Sequence, residues 1–117
     1  MRVALIGSAD FGKAALEAFL ERGDEIVAVF CPPDNPKASK PEVLKEAAIA
    51  RGLNPLQFAS LKSPEAAQAM IDSQADICVM AYVLQFVPQE LCKIPKHGTI
   101  QYHPSLLPKY RGPSAIN

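Results

Sequence analysis

The segment Gln101-Tyr102-His103-Pro104-Ser105-Leu106-Leu107-Pro108 sets an amide and an imidazole two residues apart. If a strand covers Gly98–His103, its alternation turns both side chains to one face. An imidazole titrates near neutrality and can serve as general acid or base. An amide donor converging with an imidazolium could hold a developing oxyanion. Pro104 and Pro108 restrict the backbone on either side, so the ring would stand on a stiff loop. A lone histidine is also commonly structural, and on the residues alone both readings stand. His97, before Gly98, reads as a surface turn residue.

Two further segments fall where ligands could bind. Gly7-Ser8-Ala9-Asp10-Phe11-Gly12 joins an apolar run to a helical pattern. A helix N-terminus there presents free N–H groups and suits an anion. The spacing is not G-x-G-x-x-G, because Ala9 takes the middle position. It is not a P-loop, because Lys13-Ala14 replaces the Lys-Ser/Thr end. A plain tight turn, an anion or substrate contact, and a dinucleotide site all remain open. Val83-Leu84-Gln85-Phe86-Val87-Pro88 follows another apolar run. It could line a pocket for a flat aromatic ligand beyond a strand's carboxyl end, or simply close the core.

These segments need a scaffold. Val3–Ile6, Ile26–Phe30 and Ile77–Ala81 are continuous apolar runs of strand length, the pattern of parallel strands buried on both faces. Shorter strands are expected near Leu56–Phe58 and over Gly98–His103. Phe11, Ala14, Ala15, Ala18 and Phe19 share one helical face, and Gly23 can end that helix. Pro41–Arg51 repeats the scheme, with Pro41 in the first turn, apolar Val43, Leu44, Ala47 and Ala48, and Gly52 following. Ser63-Pro64-Glu65 reads as N-cap, first residue and acidic first turn of a helix through Ile71. Cys31–Lys40, with Pro32, Pro33 and Pro36, is expected to be a loop. Strands alternating with helices imply an α/β fold, a doubly wound and mostly parallel sheet with helices on both faces. The 117 residues make one domain at most.

Composition narrows the function. Twelve Lys and Arg balance 12 Asp and Glu, which argues against a general nucleic-acid or membrane-surface binder. No apolar run approaches the ~18 residues of a membrane span. The apolar start stops at Gly7 and Asp10, so it reads as a strand rather than a signal peptide, and a cytoplasmic location is expected. Cys31, Cys78 and Cys92 form no close pair, hence neither a disulfide framework nor a zinc motif. Residues 91–117 carry Lys93, Lys96, Lys109 and Arg111 and no acid. That basic stretch is either a solvated edge or a rim facing an anionic substrate.

The run His103–Pro108, Gly112 after it, Gln101 before it, and Ala81–Pro88 upstream resemble the folate-dependent formyltransferase family. The opening Arg2-Val3-Ala4-Leu5-Ile6-Gly7 agrees, and the resemblance extends over the whole chain. Within the family, His103–Asn117 looks most like the hydrolase domain of 10-formyltetrahydrofolate dehydrogenase, with methionyl-tRNA formyltransferase close behind. The resemblance implies a Rossmann-like formyltransferase fold and 10-formyltetrahydrofolate as formyl donor, with no metal. It implies His103 as catalytic histidine and Gln101 as the oxyanion amide. It implies Leu84, Gln85, Phe86 and Val87 as the loop that receives the pterin, and Gly7, Ser8, Ala9, Asp10 and Phe11 as the acceptor side. The implied acceptor is water or an amine such as methionyl-tRNA or an amino sugar, with tRNA engaged through other regions.

Two departures qualify the match. Gln101 stands where the family's transferases carry Asn, which favours the hydrolase branch. The family's catalytic Asp belongs a few dozen residues beyond His103, and no Asp or Glu follows Glu90. The 117 residues are therefore expected to be C-terminally truncated, holding the folate pocket and half of the machinery, with little turnover alone. The rival readings are a nucleotide-binding Rossmann module, with Asp34 near the second strand's end as its ribose-binding acid, and an inactive folate-binding domain.

Overall fold

A computed structural model describes residues 1–102. The order is β1 (Arg2–Gly7), α1 (Ala9–Glu21), β2 (Glu25–Cys31), α2 (Val43–Ala50), β3 (Pro55–Gln57), α3 (Pro64–Ser73), β4 (Ile77–Ala81), α4 (Gln89–Cys92) and β5 (Thr99–Gln101). The five strands form one sheet in the order β3-β2-β1-β4-β5. All pairings are parallel. This is the expected doubly wound α/β sheet.

Alternation along β1 builds two cores. Val3 and Leu5 face one side with Ala15 and Leu16 of α1 and Leu44, Ala47 and Ala48 of α2. Ala4 and Ile6 face the other with Ala66 and Met70 of α3 and Leu91 of α4. Helices thus cover both faces, which is why the strands carry no polar alternation. Each fully buried Leu, Ile or Phe contributes about 1.5–3 kcal/mol relative to exposure.

Several boundaries differ from the sequence expectation. α2 starts at Val43, with Glu42 rather than Pro41 at its entrance; the Glu42 side chain accepts from the Leu44 amide. Ala14 is exposed, and Leu16 takes its place on the buried face of α1. α3 runs to Ser73 and closes on Gln74 in the left-handed conformation at φ 52°. Its N-cap is Ser63, whose side chain accepts from the Ala66 amide, as the Ser-Pro-Glu pattern predicts. α4 has four residues and no sequence expectation. β5 ends at Gln101.

Candidate active site

A sheet in this order has a switch point between β1 and β4. From β1 the chain crosses to β2 on one side, while β4 pairs on the other. Loops leaving the carboxyl ends of the two strands diverge there and leave a crevice, the usual ligand position in such sheets. Here those loops begin at Ser8 and Tyr82.

The two strand ends are stitched together at the crevice floor. The Ser8 backbone N–H donates to the Ala81 carbonyl at 3.2 Å. The Ser8 hydroxyl donates to the Tyr82 carbonyl at 2.6 Å. Gly7 lies against the same strand end: a Cβ there would stand 2.5 Å from the Ala81 carbonyl oxygen. Only glycine permits that approach. Ala9 and Tyr82, the first residues beyond the seam, both hold left-handed backbone, at φ 60° and 59°. For residues with a Cβ this costs about 1–2 kcal/mol each. Such strain collects where a fold presents groups to a ligand.

Above the seam lies a cavity of about 510 Å³ lined by Ala9, Asp10, Phe11, Met80, Tyr82, Val83, Gln101 and Tyr102. Its lining residues are largely aromatic and aliphatic, and Gln101, Asp10 and the hydroxyls of Tyr82 and Tyr102 are their side-chain polar groups. Tyr102 fastens β5 to α1. Its N–H donates to the Met80 carbonyl at 2.9 Å. Its ring packs against Phe11 and Phe19 at centroid separations of 5.8 and 5.9 Å. The aromatic contact sets the distance between the β1–α1 turn and the strand that carries Gln101.

Of the acceptor-side residues, Ala9, Asp10 and Phe11 line this cavity, while Gly7 and Ser8 are buried in the seam beneath it. Gln101 is exposed and lines the same cavity. His103 lies outside the described residues. The expected pterin loop is divided among other surfaces. Leu84 borders a second cavity with Ala9 and the 32–46 segment. Gln85 and Phe86 border a third with Ala59–Lys62. The Gln85 amide donates to the Phe58 carbonyl at 2.9 Å, and Val87 packs into the core. Leu84 and Phe86 are 64% and 67% exposed, so their side chains do not close the core. The sequence reading did not single out Tyr82, Met80 or Tyr102 as lining residues, whereas Val83 of the Val83–Pro88 segment does line the cavity. The available signal was their place at the carboxyl ends of β4 and β5.

Asp34 is engaged within the protein. Lys45 Nζ donates to its carboxylate at 2.9 and 3.1 Å, and Gln57 Nε2 at 3.0 Å. Gln57 and Lys45 hold this carboxyl below its usual range. Burial pushes the Cys31 and Cys78 thiols up to about 12, which makes them inert packing groups. Among the described residues no three His, Cys, Asp or Glu side chains group to hold a metal, and no helix is long and apolar enough to cross a membrane.

The fold and crevice define a doubly wound α/β protein with a cavity at its switch point. Residues 1–117 match the formyl transferase family model, and the chain belongs to that family. It is 39% identical to methionyl-tRNA formyltransferase of Thiobacillus denitrificans over 99% of its length, and 36% identical to cytosolic 10-formyltetrahydrofolate dehydrogenase of Xenopus tropicalis over 100%. It spans 39% of the first protein and 13% of the second. Among solved structures, phosphoribosylglycinamide formyltransferase of Anaplasma phagocytophilum shares the fold with a TM-score of 0.65 at 21% identity, over 96% of this chain and 53% of that one. A formyltetrahydrofolate deformylase of Pseudomonas putida does so with a TM-score of 0.60 at 21% identity, over 87% and 37%.

Proposed function

We propose that this chain supplies the donor pocket and part of the catalytic machinery of an enzyme that moves a formyl group from 10-formyltetrahydrofolate to an amine or to water. The observation that carries the reading is the position of Gln101. Its amide lines the cavity that also holds the Ala9–Phe11 turn, and the residue two positions on is the histidine of the His103–Pro108 signature. Two relatives, a methionyl-tRNA formyltransferase and a cytosolic 10-formyltetrahydrofolate dehydrogenase, support the donor class.

The crevice suits such a donor. Phe11, Tyr82, Val83 and Tyr102 offer it apolar and aromatic surface. The donor, when bound, supplies an activated formyl carbon. Gln101 would donate an amide N–H to the formyl oxygen as negative charge gathers there. His103, protonated, would donate to the same oxygen. Ala9, Asp10 and Phe11 would receive the acceptor, and the backbone of Leu84–Val87 would receive the pterin. Both donors act only as charge develops, so they lower the barrier rather than merely tighten binding.

The nucleotide-module reading has less support, because Asp34 is occupied by Lys45 and Gln57. Titration with reduced folate and with NAD separates the readings, followed by formyl-transfer assay of the full-length protein and its His103→Ala variant. Saturable folate binding is expected, with transfer abolished and folate affinity spared in His103→Ala. Transfer retained by that variant removes His103 from its role. Binding of NAD instead of folate overturns the proposal. Folate binding without any transfer by the parent protein leaves a folate-binding domain without chemistry.

A further inference from the structure

The α1 N-terminus, which the sequence offers as an anion seat, is met from inside the protein. Glu42 stands 33 residues away, at the entrance of α2. One of its carboxylate oxygens, Oε2, accepts from the Ala9 N–H at 2.6 Å and from the Leu44 N–H at 3.0 Å. A single oxygen thus serves a first-turn amide of each of two helices. Ala9 is also the residue held at φ 60°, and it lines both the switch-point cavity and the neighbouring cavity that Glu42 borders. On its other side the turn is pinned by the Ser8–Tyr82 bond. The left-handed Ala9 therefore sits between two clamps, one from β4 and one from α2.

We propose that Glu42 is a positioning residue for the acceptor side of the crevice. Its carboxylate holds the Ala9–Phe11 turn in place and fills the anion seat at the start of α1. An acceptor docking against this turn is therefore not gripped there through a phosphate or carboxylate. Asp10, in the first turn of α1 and on the cavity wall, acts in the same direction. The geometry points to a neutral or cationic group facing Ala9–Phe11, as an amine or water would be. The acceptor part of this inference rests on the formyl-transfer reading; the strut itself does not.

The test uses full-length protein labelled with 15N-alanine. In the parent, the Ala9 amide should be protected from hydrogen exchange and unmoved by inorganic phosphate. Glu42→Asp can still cap Leu44, since Asp is a good N-cap, but is one methylene too short for Ala9. It should unfold cooperatively while Ala9 exchange quickens by about tenfold or more, the loss of a charge-assisted bond. Glu42→Gln keeps the reach with a neutral oxygen, and should quicken exchange by about threefold, because neutral bonds are roughly half as strong. It also stands in if the Asp variant fails to fold. On the same samples, Glu42→Asp should raise the acceptor KM with the donor KM unchanged. An Ala9 amide that exchanges freely or shifts with phosphate in the parent overturns the proposal. So does unchanged Ala9 exchange in the folded variants. Absent turnover in the parent removes the formyl-transfer reading alone and leaves the amide measurement standing.

Discussion

The Ser8 hydroxyl donates to the Tyr82 carbonyl at 2.6 Å, a bond between residues 74 positions apart that joins the loops leaving β1 and β4. Ser8 is 1% exposed, so water does not replace this contact. Tyr82 is held left-handed just beyond β4. Ser8→Ala is expected to lose about 1 kcal/mol of stability, the net value of one intramolecular hydrogen bond. Urea unfolding followed by circular dichroism measures it; an unchanged midpoint would show that the seam is held by the backbone bond alone.

Gly7 supports the same seam by having no side chain. The Ala81 carbonyl that a Cβ would strike is backbone and part of the β1–β4 pairing, so it cannot rotate away as a side chain could. Gly7→Ala is expected to cost about 3 kcal/mol, the upper range for overpacking a tight interior. A fall in melting temperature should accompany it. A variant as stable as the parent would mean that β1 and β4 separate more easily than their contact implies.

The strands were readable because burial on both faces leaves no polar alternation, and the runs at residues 3–6, 26–30 and 77–81 fall inside β1, β2 and β4. α3 was readable from Ser63 and Pro64, whose roles are local. α4 was not, because four residues carry no helical period. Glu42 was not, because Glu is an uncommon cap and its second partner, Ala9, is brought near only by the packing of α2 beside α1. The resemblance puts Gly7 and Ser8 on the acceptor side, and strand pairing makes them the floor of the crevice there. Tyr82 became a lining residue through the β1–β4 crossing, which depends on strand order rather than on neighbours in sequence.

Asp76 accepts from the Arg2 backbone N–H at 2.9 Å. That bond holds its carboxyl below the usual value of 3.8, against the opposing effect of burial. A folded pKa below the unfolded one gives stability that is present above 3.8 and lost as pH falls through the folded value. Acid unfolding should therefore include a contribution from Asp76 in that window. Asp76→Asn should flatten the pH dependence of the urea midpoint below pH 3.8 relative to the parent. Identical profiles for the two proteins would remove Asp76 from the acid response.

Cys31 and Cys78 are buried within opposite cores, and burial is the largest cause raising both thiols to about 12. Both should resist iodoacetamide in the folded protein at mildly alkaline pH, where the thiolate is the reactive form. Denaturant should expose them. The sign for stability is opposite to that of Asp76. A folded pKa above the unfolded value of 9.0 gives stability present below 9.0 and lost as pH rises toward 12. Mass spectrometry of labelled peptides decides it, and rapid labelling of Cys78 in folded protein would contradict the packing described.

Gln101 is exposed at the end of β5, so its substitution should leave the core untouched. If its amide meets charge on the formyl oxygen, Gln101→Ala should lower kcat by about 10²–10³ while the donor KM changes little, the signature of a contact made chiefly in the transition state. Gln101→Asn keeps the amide but withdraws it by one methylene. With Tyr102 wedged between Phe11 and Phe19, β5 has little freedom to follow, so the Asn variant should fall between parent and Ala. Steady-state kinetics of the full-length protein reads all three. An Ala variant at parental kcat would show that the amide points at nothing that develops charge, and the oxyanion would then rest on His103 and backbone N–H groups.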